Sequence, residues 1–312
     1  MSSTNQITNN ILMVRPANFG FNAETAQNNA FQTNDGSLTP EQISKTAKDE
    51  FDNLVKNLRD AGVNVIVIED TDEPVKSDAV FPNNWISFHA DGRIITYPMF
   101  SPIRRQERRD DVIESLKEQF DIKDRIQMET AEAQDIFLEG TGSMIFDRPN
   151  KIVYACISVR TNPSLLEEFC RLTGYKQVAF GSFDQNGLEI YHTNVMMAVG
   201  EDFAVICLDS ITDIKERNHV TETLESTGKE IIDISLDQMN AFAGNMLQVK
   251  NGQGDTFLVM SETAFNSLTE SQINRIKKYT QIIHSPIPVI ETYGGGSVRC
   301  MMAEVFLPPK VG

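Results

Sequence analysis

Apolar residues along the chain fall into short β-rich runs separated by turn residues and by longer amphipathic stretches. Five segments share one shape, an aromatic residue followed by small or polar residues and then a strand-like run. They are FPNNWISFH from Phe81, FLEGTGSMIF from Phe137, IYHTNVMMAV from Ile190, FAGNMLQV from Phe242 and YGGGSVRCMMAEVF from Tyr293. The aromatics Phe81, Phe137, Tyr191, Phe242 and Tyr293 recur at spacings of 56, 54, 51 and 51 residues. A period of that size marks a repeat architecture.

After each of the first four comes a turn and a second β-rich run: Asp91-Gly92 then RIITYPM, Pro149-Asn150 then KIVYACI, Gly200 then FAVICL, and Asn251-Gly252 then TFLVM. These are hairpin signals. Helical patterns such as PIRRQERRDDVIESLKEQF and NPSLLEEFCRL follow, and then a further short apolar run. The unit is strand, strand, helix, strand. ILMVRP, the helix EQISKTAKDEFDNLVKNLRDAG and VNVIVIED complete one more unit, whose first hairpin is supplied by the C-terminal segment. The pattern predicts an α/β propeller of five blades, a single domain over 11–312 after a flexible N-terminus over 1–10. An open α/β sheet with antiparallel edges would give similar local strings.

Charge narrows the partners. Forty-four acidic against 28 basic residues leave a formal charge of -16, which repels a phosphate backbone and an anionic membrane surface. Nucleic acid and membrane are therefore not expected as partners; a small molecule is, and homo-oligomerisation stays open. No window approaches 18 apolar residues, and the N-terminus lacks a basic start followed by an apolar stretch, so a soluble cytoplasmic protein is expected. Cys156, Cys170, Cys207 and Cys300 lie far apart without a CxxC pair, which argues for a reducing compartment and against a zinc site. No histidines stand three or four apart, so neither metal nor cofactor is expected.

In a ring of repeats the equivalent strand starts face the axis, and polar residues there converge from distant parts of the chain. That singles out Asn83, Asn84, Glu139, His192, Asn194, Asn245 and Cys300. A cysteine, a histidine and a carboxylate on separate repeats can act as nucleophile, base and orienting group. Cys300 follows GGGSVR, where glycines allow close approach and Arg299 is expected to favour a thiolate. The alternatives are structural: Cys300 as a small core residue of a strand CMMAEVF, His192 as a satisfied strand histidine, Glu139 as a turn cap. The basic run at 104–109 reads as a solvated helix face.

At these residues the sequence resembles the guanidine-modifying superfamily of arginine deiminases, dimethylarginine hydrolases and amidinotransferases, a pentein-like fold. VFPNNWIS with IITYPMFSPIRRQER resembles the dimethylarginine hydrolase segment in which an acidic pair precedes a strand and an Arg-Arg helix. FLEGTGSMIF, ISVRTN, GLEIYHTN and GGGSVRCMMAEVF follow that family's order of carboxylate, arginine, histidine and cysteine. MVRPANFGFNAETAQNNAFQ, VFPNNW, FAGNML and GGGSVRCM are most similar to bacterial citrulline-utilisation hydrolases. The resemblance implies Cys300 as nucleophile, His192 as general acid and base, Glu139 orienting it, and Arg160 binding an amino acid carboxylate. Where relatives that bind a cationic guanidinium carry aspartates, Asn84 and Asn194 stand here, and Gly142 replaces the last residue of an EGGD-type motif.

An asparagine offers both donor and acceptor to a neutral group, so the expected substrate is a ureido amino acid, citrulline, cleaved to ornithine, ammonia and carbon dioxide. Arginine or methylated arginine hydrolysis, amidinotransfer, and a catalytically silent amino acid binder are the alternatives. Asn83, Asn84, Asn194, Arg160, Asn245, Arg299 and Asn22 are expected around the substrate; Asn22 and Asn29 could equally cap a helix. A neutral ureido group cannot itself ionise the thiol, so a thiolate–imidazolium pair is expected at rest.

Overall fold

A computed structural model describes residues 5–310. Its strands form five three-stranded sheets of one design, in which the central strand pairs antiparallel with a short strand and parallel with a third. In chain order, short, central and third strands are Ile86–Phe88, Arg93–Thr96 and Asp124–Gln127; Ile145–Asp147, Ile152–Cys156 and Lys176–Phe180; Met197–Val199, Phe203–Ile206 and Glu230–Asp233; Leu247–Lys250, Thr256–Ser261 and Gln281–Ser285. The antiparallel pair needs only a tight turn, whereas the parallel pair needs a crossover. Helices Asp110–Leu116, Pro163–Thr173 and Ile214–Ser226 supply it in the first three, and Glu262–Ser267 with Glu270–Ile276 in the fourth.

The fifth sheet joins the chain ends and closes the ring. Its central strand Asn10–Arg15 pairs with Asn64–Glu69 across helix Pro40–Asp60, and with Ala303–Glu304 through Ile11 opposite Glu304 and Leu12 opposite Ala303. The C-terminal segment thus contributes one strand rather than a hairpin. This is the expected five-bladed α/β propeller, not an open sheet. Short strands of different sheets pack against one another, Ala303–Glu304 on Ile86–Phe88 and Ile145–Asp147 on Met197–Val199. The helices pack on the third strands, Pro163–Thr173 on Lys176–Phe180 and Ile214–Ser226 on Glu230–Asp233. Pro40–Asp60 starts with a capping box between Thr39 and Gln42 and buries Phe51, Leu54 and Leu58. Among the described residues no helix is long and apolar enough to cross a membrane.

Three expectations are corrected. Of the flexible segment 1–10, residues 1–4 lie outside the described residues, but Gln6, Ile7 and Thr8 are buried. Gln6 Nε2 donates to Phe146 O at 2.8 Å and Val199 O at 3.0 Å, tying two blades together. The basic run 104–109 is not a solvated face: Arg104 and Glu107 are buried in the turn Ile103–Glu107 because they neutralise each other, Arg104 Nε to Glu107 Oε1 at 2.9 Å. The polar candidates do not open strands directly. One-turn helices Pro82–Asn84, Gly140–Ser143, Thr193–Met196 and Val298–Met301 precede four of the short strands, and a turn ending at Asn245 precedes the other.

Candidate active site

Those turns hang their polar side chains around one pocket. A small cavity of about 20 Å³ is lined by Cys300, His192, Asn84, Arg104, Arg160 and Asp78, with Tyr191 and Gly294, Gly295 and Gly296 completing the wall. The glycines allow close packing: a Cβ on Gly296 would press to 3.0 Å on Phe81 Cζ, and one on Gly295, at φ +62°, would lie 2.4 Å from Asn29 Nδ2.

His192 precedes the turn Thr193–Met196 and Glu139 the turn Gly140–Ser143. His192 Nε2 meets Glu139 Oε2 at 2.7 Å, while Glu139 Oε1 accepts from Phe100 N at 2.8 Å. Burial works against charge on Glu139, but Arg160, the histidine and the more distant Arg104 outweigh it and hold the carboxyl down at about 2. Burial also disfavours an imidazolium. Glu139 pulls the other way, yet Arg160 and Arg104 reinforce burial and His192 falls to about 4. Burial and the two arginines thus favour a carboxylate beside a neutral imidazole, against the imidazolium expected at rest. With Nε2–H given to Glu139, Nδ1 is the nitrogen left with a lone pair.

Cys300 lies in the turn Val298–Met301, not in a strand, and its sulfur accepts two amide hydrogen bonds, from Asn194 Nδ2 and Asn245 Nδ2, both at 3.3 Å. Asn245 Oδ1 takes Arg299 N at 2.9 Å and so fixes the same turn. Both asparagines, expected around the substrate, reach it only through the sulfur. Asn194 Oδ1 stays buried without a partner.

Arg160 is buried beneath the pocket, its guanidinium 4.8 Å from the centre of the Tyr191 ring and 3.6 Å from Glu139 Oε2. Asn28 Oδ1 occupies its Nε at 2.8 Å and also its Nη2, and Thr25 O takes Nη2 at 3.0 Å. An amide oxygen thus occupies the fork that the resemblance gives to a substrate carboxylate. Asn84 presents Oδ1 to Arg104 Nη1 at 2.9 Å and leaves Nδ2 without a partner.

The remaining candidates divide. Asn83 stands behind the pocket, donating to Thr141 Oγ1 at 3.3 Å. Asn22 does not line the pocket either; Nδ2 donates to Asp78 Oδ2 at 2.6 Å and Oδ1 accepts from Glu24 N. Asn29 does line it, through Nδ2 on Gly295 O at 3.1 Å. Arg299 is turned away: its guanidinium bonds Met302 O at 2.8 Å and Glu304 Oε2 at 2.8 Å, beside a separate cavity that also takes in Gln6. It does not line the substrate pocket, but its charge still couples to Cys300. Asp78 and Arg104 were not singled out from the sequence. Asp78 has one oxygen on Asn22 and the other unpartnered, and burial raises its carboxyl against the pull of Arg104. The only sequence signal was charge in the apolar-flanked strings SDAVF and SPIRRQE. Among the described residues no group of three or more His, Cys, Asp or Glu side chains is arranged to hold a metal ion.

A family model described as N,N dimethylarginine dimethylhydrolase, eukaryotic, matches residues 15–307. Among curated protein sequences none matches. The solved structure of ArgZ, an arginine dihydrolase from the ornithine-ammonia cycle in cyanobacteria, is similar with a TM-score of 0.74 at 14% identity, over 97% of this chain and 41% of that one. The chain thus spans less than half of that protein, but it covers 98% of the N-terminal domain of ArgZ, solved with its substrate, at a TM-score of 0.74 and 14% identity over 96% of this chain. A dimethylarginine dimethylaminohydrolase variant carrying S-methyl-L-thiocitrulline gives 0.65 at 12% identity, over 96% of this chain and 99% of that one. These likenesses show the fold, and the family model spans nearly the whole chain: it belongs to the dimethylarginine dimethylhydrolase family, within the guanidine-modifying pentein superfamily.

Proposed function

We propose that this protein is a cysteine hydrolase of the ureido group of an amino acid, with citrulline as substrate. The observation that carries the reading is the chemistry around the sulfur and the free imidazole nitrogen. The side chains beside the sulfur and that nitrogen are amides, Asn84, Asn194 and Asn245, while Glu139 is engaged by His192, Arg160 and a backbone N–H, and the carboxylate in the pocket wall, Asp78, bonds Asn22 and lies 3.9 Å from Arg104. A guanidinium seated against the amides would bring a positive charge that they do not neutralise, and a ureido group brings none.

In this reading the amino acid end meets Arg160, whose fork takes the carboxylate once Asn28 withdraws, and Asp78, whose free oxygen takes the ammonium. Cys300 Sγ attacks the ureido carbon as His192 Nδ1 accepts the thiol proton. The carbon–nitrogen bond to the side chain breaks, His192 returns the proton to the leaving nitrogen, and ornithine departs from an S-carbamoyl cysteine. Water, deprotonated by the same nitrogen, releases carbamate, which decays to ammonia and carbon dioxide. Glu139 stabilises the imidazolium that forms in each half.

Arginine is the second reading, favoured by the free carboxylate oxygen of Asp78 in the pocket and by the activity in the name of ArgZ. Separate incubations with citrulline and arginine decide. Ornithine and ammonia from citrulline support the ureido reading; citrulline and ammonia from arginine, with no ornithine from citrulline, overturn it.

A further inference from the structure

Arg104 lies on no part of the reaction path, yet we infer that it is the positioning residue that sets substrate choice. It fixes the direction of the Asn84 amide so that the site selects a group offering an acceptor oxygen over one offering only N–H donors. The inference rests on the ureido reading and names the device behind it.

An asparagine amide turned by half a rotation exchanges donor for acceptor, so Asn84 alone could greet either kind of substrate. Its surroundings remove the choice. A guanidinium carries five donors and no acceptor, and only an oxygen can face it. Arg104 Nη1 bonds Asn84 Oδ1 at 2.9 Å. Arg104 cannot turn aside, because Glu107 takes Nε at 2.9 Å and Nη2 at 3.0 Å, Phe81 O takes Nη2 at 3.2 Å, and Asp78 lies 3.9 Å away. Turning the amide over would set its NH₂ against a buried cation and leave both unpartnered.

The amide nitrogen is consequently the free end, and its buried N–H groups have no partner. Asn84 lines the pocket with His192 and Cys300. A Cβ on Gly142 would clash 2.4 Å from Asn84 Nδ2 and 2.8 Å from His192 Nδ1, so the donor and the catalytic nitrogen pack side by side against the bare backbone of Gly142. A ureido oxygen entering the pocket beside His192 completes Asn84. A guanidinium presents N–H to N–H and leaves a buried donor unmet, the situation by which a hydrogen-bonding site rejects an analogue most strongly.

The test compares kcat/KM for citrulline and arginine in the full-length enzyme, with arginine followed as a competitive inhibitor where it turns over too slowly. Arg104→Met with Glu107→Met replaces the buried ion pair by apolar groups of similar volume and frees the amide. Its citrulline-to-arginine ratio should fall about tenfold or more, equivalent to one lost discriminating hydrogen bond. Arg104→Lys, still donor-only, should keep the ratio within about threefold, which a purely structural role would not require. Asn84→Asp covers the case in which the double variant does not fold: with Arg104 on one oxygen, the other turns an acceptor inward and the ratio should move towards arginine. An unchanged ratio in the folded double variant, or in Asn84→Asp, overturns the role of Arg104 while leaving citrulline hydrolysis standing. A wild-type enzyme inert to citrulline overturns both.

Discussion

Replacing Gly142 by alanine adds one methyl group where Asn84 and His192 pack against bare backbone. The position carries no left-handed strain, and alanine favours the turn Gly140–Ser143. The cost lies in contact. The new Cβ would stand 2.4 Å from Asn84 Nδ2 and 2.8 Å from His192 Nδ1 and Cε1. Reaching ordinary contact distance requires the amide to shift by about 1 Å and the imidazole by about half that, each against a bond that holds it. Those bonds are Asn84 to Arg104 at 2.9 Å and His192 to Glu139 at 2.7 Å. Overpacking of this kind costs about 1–3 kcal/mol of stability, partly offset by helix propensity. A displacement of about 1 Å at a reacting group costs about a hundredfold in rate. Gly142→Ala should therefore melt within several degrees of wild type and lose about a hundredfold in kcat/KM, measured on citrulline beside a thermal melt. Gly140→Ala is the contrast: at φ +47° its Cβ would lie 2.3 Å from Asn83 O, so it should lose stability first. Turnover within threefold of wild type in Gly142→Ala would refute the placing of Asn84 and His192 at the reacting group.

Further outcomes follow from the same geometry. Cys300→Ser, His192→Ala and Glu139→Gln should each lose turnover by orders of magnitude without adding in combination, because they serve one step; near-normal activity in folded Cys300→Ser sinks the mechanism. Asn28→Ala should lower KM by removing the oxygen that competes for Arg160, and a raised KM would show that Asn28 holds the substrate instead. Burial, with Arg148 next in weight, lowers the imidazole of His89 to about 3, and burial lowers His192 to about 4. The unfolded chain binds these protons near pH 6.5 and the folded one does not, so this stability is present above pH 6.5 and drains as pH falls towards the folded values. For His89 alone the loss is on the order of 5 kcal/mol. Urea midpoints across that range should fall less steeply in His89→Gln; identical slopes would contradict the burial argument.

The ring was legible because each blade repeats an aromatic, a turn and two β-rich runs, and because only the two chain ends together complete the fifth unit. Glu139, His192 and Cys300 were legible because polar residues opened apolar runs at equivalent places. Arg299 was misread for a local reason. In a tight helical turn adjacent side chains diverge by roughly 100–120°, so the neighbour of Cys300 points into another cavity. Asp78 was hidden because its partner, Asn22, stands 56 residues away, whereas Arg104 pairs with Glu107 only three residues on, a local pair missed by reading RRQERR as an unpaired basic run facing solvent. Asn28 carried no signal at all, since what it covers lies 132 residues away.

The most direct measurement follows the ureido carbon. Enzyme mixed with citrulline labelled at that carbon is quenched within one turnover, and the peptide containing Cys300 is weighed while free ornithine is quantified. Label on Cys300 together with stoichiometric ornithine is the predicted result. An unlabelled Cys300 and intact citrulline, with arginine giving the adduct instead, would contradict the account.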